Sequence, residues 1–155
     1  MTELDARLVA YCGLYCGDCA GYGGEIATHA EALLGALAAY RFELSAAELF
    51  SEAIPDYARL EETIRFLAGT RCPRVCRERT APDEAACVIL RCCRERGLDG
   101  CWACGERAGC EHLRPMAKVH GDSLDRNLAA IAELGVAGWL ATGRRYWFGS
   151  EVEGP

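Results

Sequence analysis

The chain is expected to be mainly α: a small helical domain with cysteine-rich metal-binding loops and little or no β structure. Three observations predict this. Apolar residues recur at the helical period in several windows bounded by capping residues and glycines. The 11 cysteines fall in short-spaced groups between those windows: Cys12/Cys16/Cys19, Cys72/Cys76, Cys87/Cys92/Cys93 and Cys101/Cys104/Cys110. No segment alternates apolar and polar residues over five or more positions with β-branched enrichment, so strands are not expected.

The elements follow in order. After the first cysteine group, Thr28 to Tyr40 predicts a helix with Leu33, Leu34 and Leu37 as its apolar stripe. Ser45 to Glu48 has the form of a capping box, opening a second helix that carries Leu49, Phe50 and Ile54. Pro55-Asp56 ends it and supplies a new N-cap, from which Leu60, Ile64 and Leu67 run to a stop at Gly69. Residues 70–82, with two cysteines, Pro73 and Pro82, read as a loop tied by metal. Asp83 can cap a helix to about Gly97. On an unbroken helix Cys87 and Cys92 would stand about 140° apart, so either the helix starts after Cys87 or the two cysteines serve different partners. Leu98 to Cys110 is a second knuckle, and 111–120 a short helix. Asp122 to Asp125 opens a longer helix, with Leu124, Leu128, Ile131 and Leu134 on one face and Gly135 as its end. A last turn holds Trp139 and Leu140. One domain is expected over 1–148, with 149–155 a flexible tail.

Composition narrows the class of function. A hydrophobic content of 51% over 155 residues supports a packed core and excludes wholesale disorder. No run of 18 uncharged apolar residues is present, and Asp5, Arg7 and Cys12 stand where a signal peptide needs apolar residues, so a cytoplasmic protein is expected and no membrane. The net charge of −6 lacks the footprint of a nucleic-acid binder. The arginines around Cys72/Cys76 (Arg71, Arg74, Arg77, Arg79) and around Cys92 (Arg91, Arg94, Arg96) read as solvated neighbours of thiols rather than as an anion patch.

In a reducing compartment an odd number of cysteines points to metal rather than disulfides. Closed zinc sites take four Cys or His ligands, and two cysteines two or three residues apart supply half a site from local backbone alone. Two zinc ions are expected. The candidate ligands are Cys12, Cys16, Cys19, Cys72, Cys76, Cys87, Cys92, Cys101, Cys104 and Cys110. Cys12/Cys16/Cys19 and Cys101/Cys104/Cys110 would be nuclei completed by the central group. Cys93, about 100° around the helix from Cys92, reads as a small buried apolar residue, and His112 is the nearest histidine should a third site form. An iron–sulfur cluster is the alternative cofactor, since thiolate ligands alone do not discriminate.

The Cys12-x3-Cys16-x2-Cys19 spacing and Gly23-Gly24-Glu25 are similar to elements of radical enzymes that use S-adenosylmethionine. Those two motifs lie too close together here, and the parallel strands of such enzymes are not predicted. A broader pattern resembles the cysteine-rich prokaryotic proteins of domain of unknown function 3795. It comprises Tyr11-Cys12-Gly13-Leu14-x-Cys16-x-x-Cys19 with Tyr22, then Cys87 with Ile89, Arg91 and Cys92, Gly97 before Cys101-x-x-Cys104, and Cys110-Glu111-His112-Leu113, covering about residues 8 to 115. The resemblance implies zinc binding with no established activity and transfers no catalytic residue. The chain departs from it in having Glu84 or Ala85 where a further cysteine is usual, in the extra Cys93, and in the three-residue gap between Cys72 and Cys76.

The remaining candidates have plain readings. His29 belongs on a helix face, His120 with Asp122 at a helix junction, and Asp18 in a turn, with support of a neighbouring cysteine ligand as its alternative. Trp139, Tyr146, Trp147 and Phe148 read as core cover. The function expected is a zinc-binding module whose metal is mainly structural, with an unknown protein or small molecule as partner and no catalytic residues. The alternatives are an iron–sulfur or thiol-dependent redox protein or enzyme, and a metal carrier or sensor.

Overall fold

The computed structural model describes residues 5–80 and 87–152. It is mainly helical, as the periodicity predicts, with one two-stranded antiparallel sheet. Where the sequence leads to one domain, chain contacts divide the protein into two compact units: Cys19–Pro73, and Met1–Asp18 together with Arg74–Pro155. Among the described residues no helix is long and apolar enough to cross a membrane.

The unit Cys19–Pro73 is helical: α1 (Ala20–Gly23), α2 (Glu25–Ala39), α3 (Phe42–Glu48) and α4 (Tyr57–Ala68). Gly24 joins α1 to α2 at φ 71°, and a Cβ there would meet Arg71 Nη1 at 2.1 Å. The left-handed backbone is what glycine suits here, since the Arg71 guanidinium sits at the end of a flexible side chain. The buried or half-buried positions of α2 are Ala27, Ala30, Leu34 and Leu37, at 3.6-residue spacing, while Leu33 is exposed; the expected leucine stripe is thus shifted by one position toward alanines small enough to let α4 approach.

The capping-box expectation is corrected. Ser45 lies inside α3, which starts at Phe42 behind Arg41 in a left-handed conformation and ends at Glu48; Leu49 and Phe50 follow in a turn and are exposed. Phe42 packs its ring on Phe50 at 5.9 Å and on Tyr57 at 6.3 Å, contacts between residues 8 and 15 positions apart that the local motif does not report. Asp56 caps α4 as expected, accepting from the Arg59 N–H at 2.9 Å, and the helix stops at Gly69.

The other unit holds α5 (Val88–Glu95), α6 (Arg114–His120), α7 (Ser123–Ala141), and a hairpin of β1 (Arg145–Tyr146) with β2 (Glu151–Val152). Asp83 lies outside the described residues. The helix α5 begins after Cys87, which is extended at φ −122°, the first of the two arrangements the sequence leaves open. Leu90, Leu124 and Leu128 centre the core, into which Cys12, Cys93 and Cys101 also pack. Gly135 breaks α7 at φ 71°, ψ 166°, so Leu124, Leu128 and Ile131 are buried as expected but Leu134 is not, and Trp139 and Leu140 return to the core on a new phase. Chain beyond Phe148 is tied in: the Gly149 N–H donates to Ser123 Oγ at 2.6 Å, and β2 pairs with β1.

Candidate metal centre

The first knuckle is a tight reversal. Val9 bridges Tyr15, the Ala10 N–H donates to Leu14 O at 2.8 Å, and Gly13 turns at φ 85° against Leu128, which a Cβ would meet at 2.9 Å. Cys12 sits at the tip, buried, with the Leu14 N–H directed at its sulfur. A 3-10 turn, Cys16–Asp18, follows directly. Cys76 enters from another 3-10 turn, Cys76–Glu78, and receives the Tyr11 N–H; Cys87 enters from the N-terminus of α5. Cys16, Cys76 and Cys87 lie near enough to Cys12 that a charge on any of them would oppose its ionisation.

Burial dominates the electrostatics of these thiols. Loss of water pushes Cys12 up to about 12 and raises Cys76 above its ordinary range, the backbone N–H groups opposing this only in part. Arg77 braces the same region. Its Nε donates to Val9 O at 2.7 Å, Nη1 pairs with Asp99 at 3.0 Å, and the guanidinium lies 4.8 Å from the Tyr11 ring centre. This arginine is a structural clamp rather than part of a solvated face.

The second group is anchored to the first by the backbone, the Cys101 N–H donating to Tyr11 O at 2.8 Å. Cys92, Cys93, Cys101, Cys104 and Cys110 line one cavity of about 180 Å³, with His112 at its wall. Cys93 is buried as expected, its sulfur 3.7 Å from that of Cys101. Burial raises both thiols, Cys101 the further of the two. Arg96 is exposed, 3.5 Å from Cys104 Sγ and 2.9 Å from Glu106, the carboxylate holding it in its charged form.

Cys19 and Cys72 belong to the helical unit. There the Cys72 N–H donates to Gly21 O at 2.7 Å, and a Cβ on Gly21 would lie 3.4 Å from Cys19 Sγ and 3.9 Å from Cys72 Cβ. Of the ten candidate ligands, Cys16, Cys76 and Cys87 lie near enough to bear on the Cys12 thiol, Cys92, Cys101, Cys104 and Cys110 line the cavity with Cys93, and Cys19 and Cys72 lie in the helical unit. His29 is exposed on α2. His120 is buried at the end of α6, its Nδ1 2.8 Å from Trp147 O. One partner was missed in the sequence: Asp18, in the turn expected of it, forms an ion pair with the buried Arg145, 127 positions away.

All eleven cysteines carry thiols rather than half-cystines. Their donor chemistry suits zinc, and the N–H groups aimed at Cys12 and Cys76 are those that hold a thiolate once its proton is gone. Among the described residues, however, no three Cys, His, Asp or Glu side chains stand together closely enough to hold a metal ion. The fit is therefore one of donor type and neighbourhood, not of closed coordination.

The sequence pattern over residues 8–115 matches the family model described as protein of unknown function DUF3795. The chain belongs to this family. The match covers both knuckles and α5, and ends before α7 and the hairpin. No curated protein and no solved structure matches the chain.

Proposed function

We propose that this family member binds metal through thiolates, with zinc at two sites acting mainly as a structural cross-link. The carrying observation is the gathering of Cys76 and Cys87 beside Cys12 and Cys16, thiols drawn from three separate segments around buried backbone donors. The cavity lined by Cys92, Cys101, Cys104 and Cys110 supports a second site of the same chemistry. Zinc would supply neutralisation of the thiolates and a rigid tie between loops that lack regular hydrogen bonding. Cys12 and Cys16 with Cys76 and Cys87 would hold one ion; the four cysteines around the cavity would hold the other. Zinc analysis and an absorption spectrum of freshly purified protein test this. A colourless protein with about two zinc ions per chain is the expected result, and a brown protein with visible cluster absorption overturns it.

A second reading, thiol-dependent redox chemistry, is favoured by the 3.7 Å contact between Cys93 and Cys101. Zinc-free purified protein whose mass falls by two hydrogens on mild oxidation, with a Cys93–Cys101 crosslink in the peptide map, would support it over the structural role.

A further inference from the structure

The helical unit Cys19–Pro73 turns much of its apolar surface outward. Among the described residues 12 large apolar side chains stay exposed, and nine of them belong to this unit. Its own buried apolar residues are three alanines and one isoleucine: Ala27, Ala30, Ala46 and Ile64. A concentration of exposed apolar side chains on one small unit marks an interaction surface.

That surface has a shape. Arg71, just past the end of α4, reaches Thr28 at 3.1 Å and Glu31 at 3.3 Å in the first half of α2, so the two helices run antiparallel. Between them lies a groove of about 420 Å³, with Ile26, Leu33 and Leu67 on its walls and the buried Ala30 and Ile64 as its floor. Ile26 is 49% and Leu33 47% exposed, so both stand free to receive side chains from outside. From Ile26 to Leu33 the groove runs about 10 Å, the length of two helical turns. Glu25 and His29 form its polar edge.

Charge selects the occupant. The unit carries eight acidic side chains against four arginines and no lysine, a net of −4 out of the chain's −6. All four arginines are already paired within it: Arg41 with Glu43, Arg59 with Glu62, Arg65 with Glu61 and Arg71 with Glu31. Glu25, on the groove wall, has no ion pair among the described residues. Like charge therefore opposes a second copy of this unit, an anionic lipid surface or a nucleic acid at this place. We propose that the groove docks a basic amphipathic helix of a partner protein, its aliphatic stripe lying between α2 and α4 and a lysine or arginine meeting Glu25. The groove contains no cysteine, so this docking is independent of metal binding.

The probe is a fluorescent peptide of leucine and lysine, about 18 residues long, with its leucines on one helical face. It is titrated with the full chain and read by anisotropy. One control peptide has the same composition scrambled out of helical phase; another has glutamate in place of lysine. The expected result is saturable binding of the leucine–lysine helix, weaker by about 10-fold or more for both controls and for Leu33→Gln. Glu25→Gln should weaken it about 3-fold, as for an exposed ion pair. Far-UV circular dichroism should show unchanged helix content in both variants. Should Leu33→Gln lose helix content, the exposed Glu25→Gln and the two control peptides decide. No binding by wild type overturns the proposal, and so does equal binding of the scrambled peptide, which shows charge alone at work. Equal binding of the glutamate peptide overturns the basic partner. Wild-type affinity in both variants overturns the groove as the site. A sedimenting dimer that Leu33→Gln dissociates assigns the groove to a second copy and overturns it likewise.

Discussion

Cys12 shows how far a thiol's chemistry is set by where it lies. Spacing marks it as a candidate ligand, but only the fold buries it among Leu14, Leu90 and Leu128 and pushes its ionisation up to about 12. The sign of the resulting pH dependence follows. In the metal-stripped protein the folded thiol stays neutral while the same thiol in the unfolded chain ionises near pH 8.5, so stability is intact below that value and falls as pH rises toward 12. The expected slope is up to about 1.4 kcal/mol per pH unit for each such buried thiol. Urea denaturation between pH 7.5 and 10 in the presence of chelator measures it. A stability that is flat or rising over that range contradicts the buried neutral thiol. Asp18 is the opposite case: its type and position suggest a turn, and nothing within reach of a local motif announces Arg145.

At the level of elements, local signals placed α4 well, because a cap and a stop are encoded within a few residues. They misplaced α3, because the Phe42, Phe50 and Tyr57 rings decide its start. The glycine signal in α7 was legible, yet its consequence was only partly so. Gly135 does interrupt the helix, but the chain resumes helically and swings Trp139 into the core. A Cβ at Gly135 would meet nothing within 4 Å, so Gly135→Ala isolates the backbone cost of a conformation nearly restricted to glycine. The expected loss is about 1–3 kcal/mol of unfolding free energy with no steric contribution. Equilibrium denaturation checks this; an unchanged midpoint would mean that the helix straightens through this point at no cost.

On the scale of the molecule, the thiols are unevenly shared. Nine of the eleven cysteines lie in the unit formed by Met1–Asp18 and Arg74–Pro155, and two, Cys19 and Cys72, in the helical unit Cys19–Pro73. If metal ties the loops of the first unit together, its removal should loosen that unit selectively. Hydrogen exchange before and after chelation is expected to lose protection around Tyr11–Asp18, Val75–Glu78 and Gly100–Cys104 while α4 keeps its own. Equal loss throughout, or none in these loops, would contradict a cross-linking role. The division into units was not visible in the sequence, because residues 1–18 join chain that begins more than fifty positions later.

The order of residues alone determined the helical class, the cap and stop of α4 and the cysteine-rich character, since capping, periodicity and cysteine spacing act over a few positions. Tertiary structure decided which cysteines are neighbours, that Arg77 braces the first knuckle, and that Asp18 meets Arg145. Those outcomes depend on contacts between distant segments, whose free energy resides in shared burial and shape rather than in any local pattern.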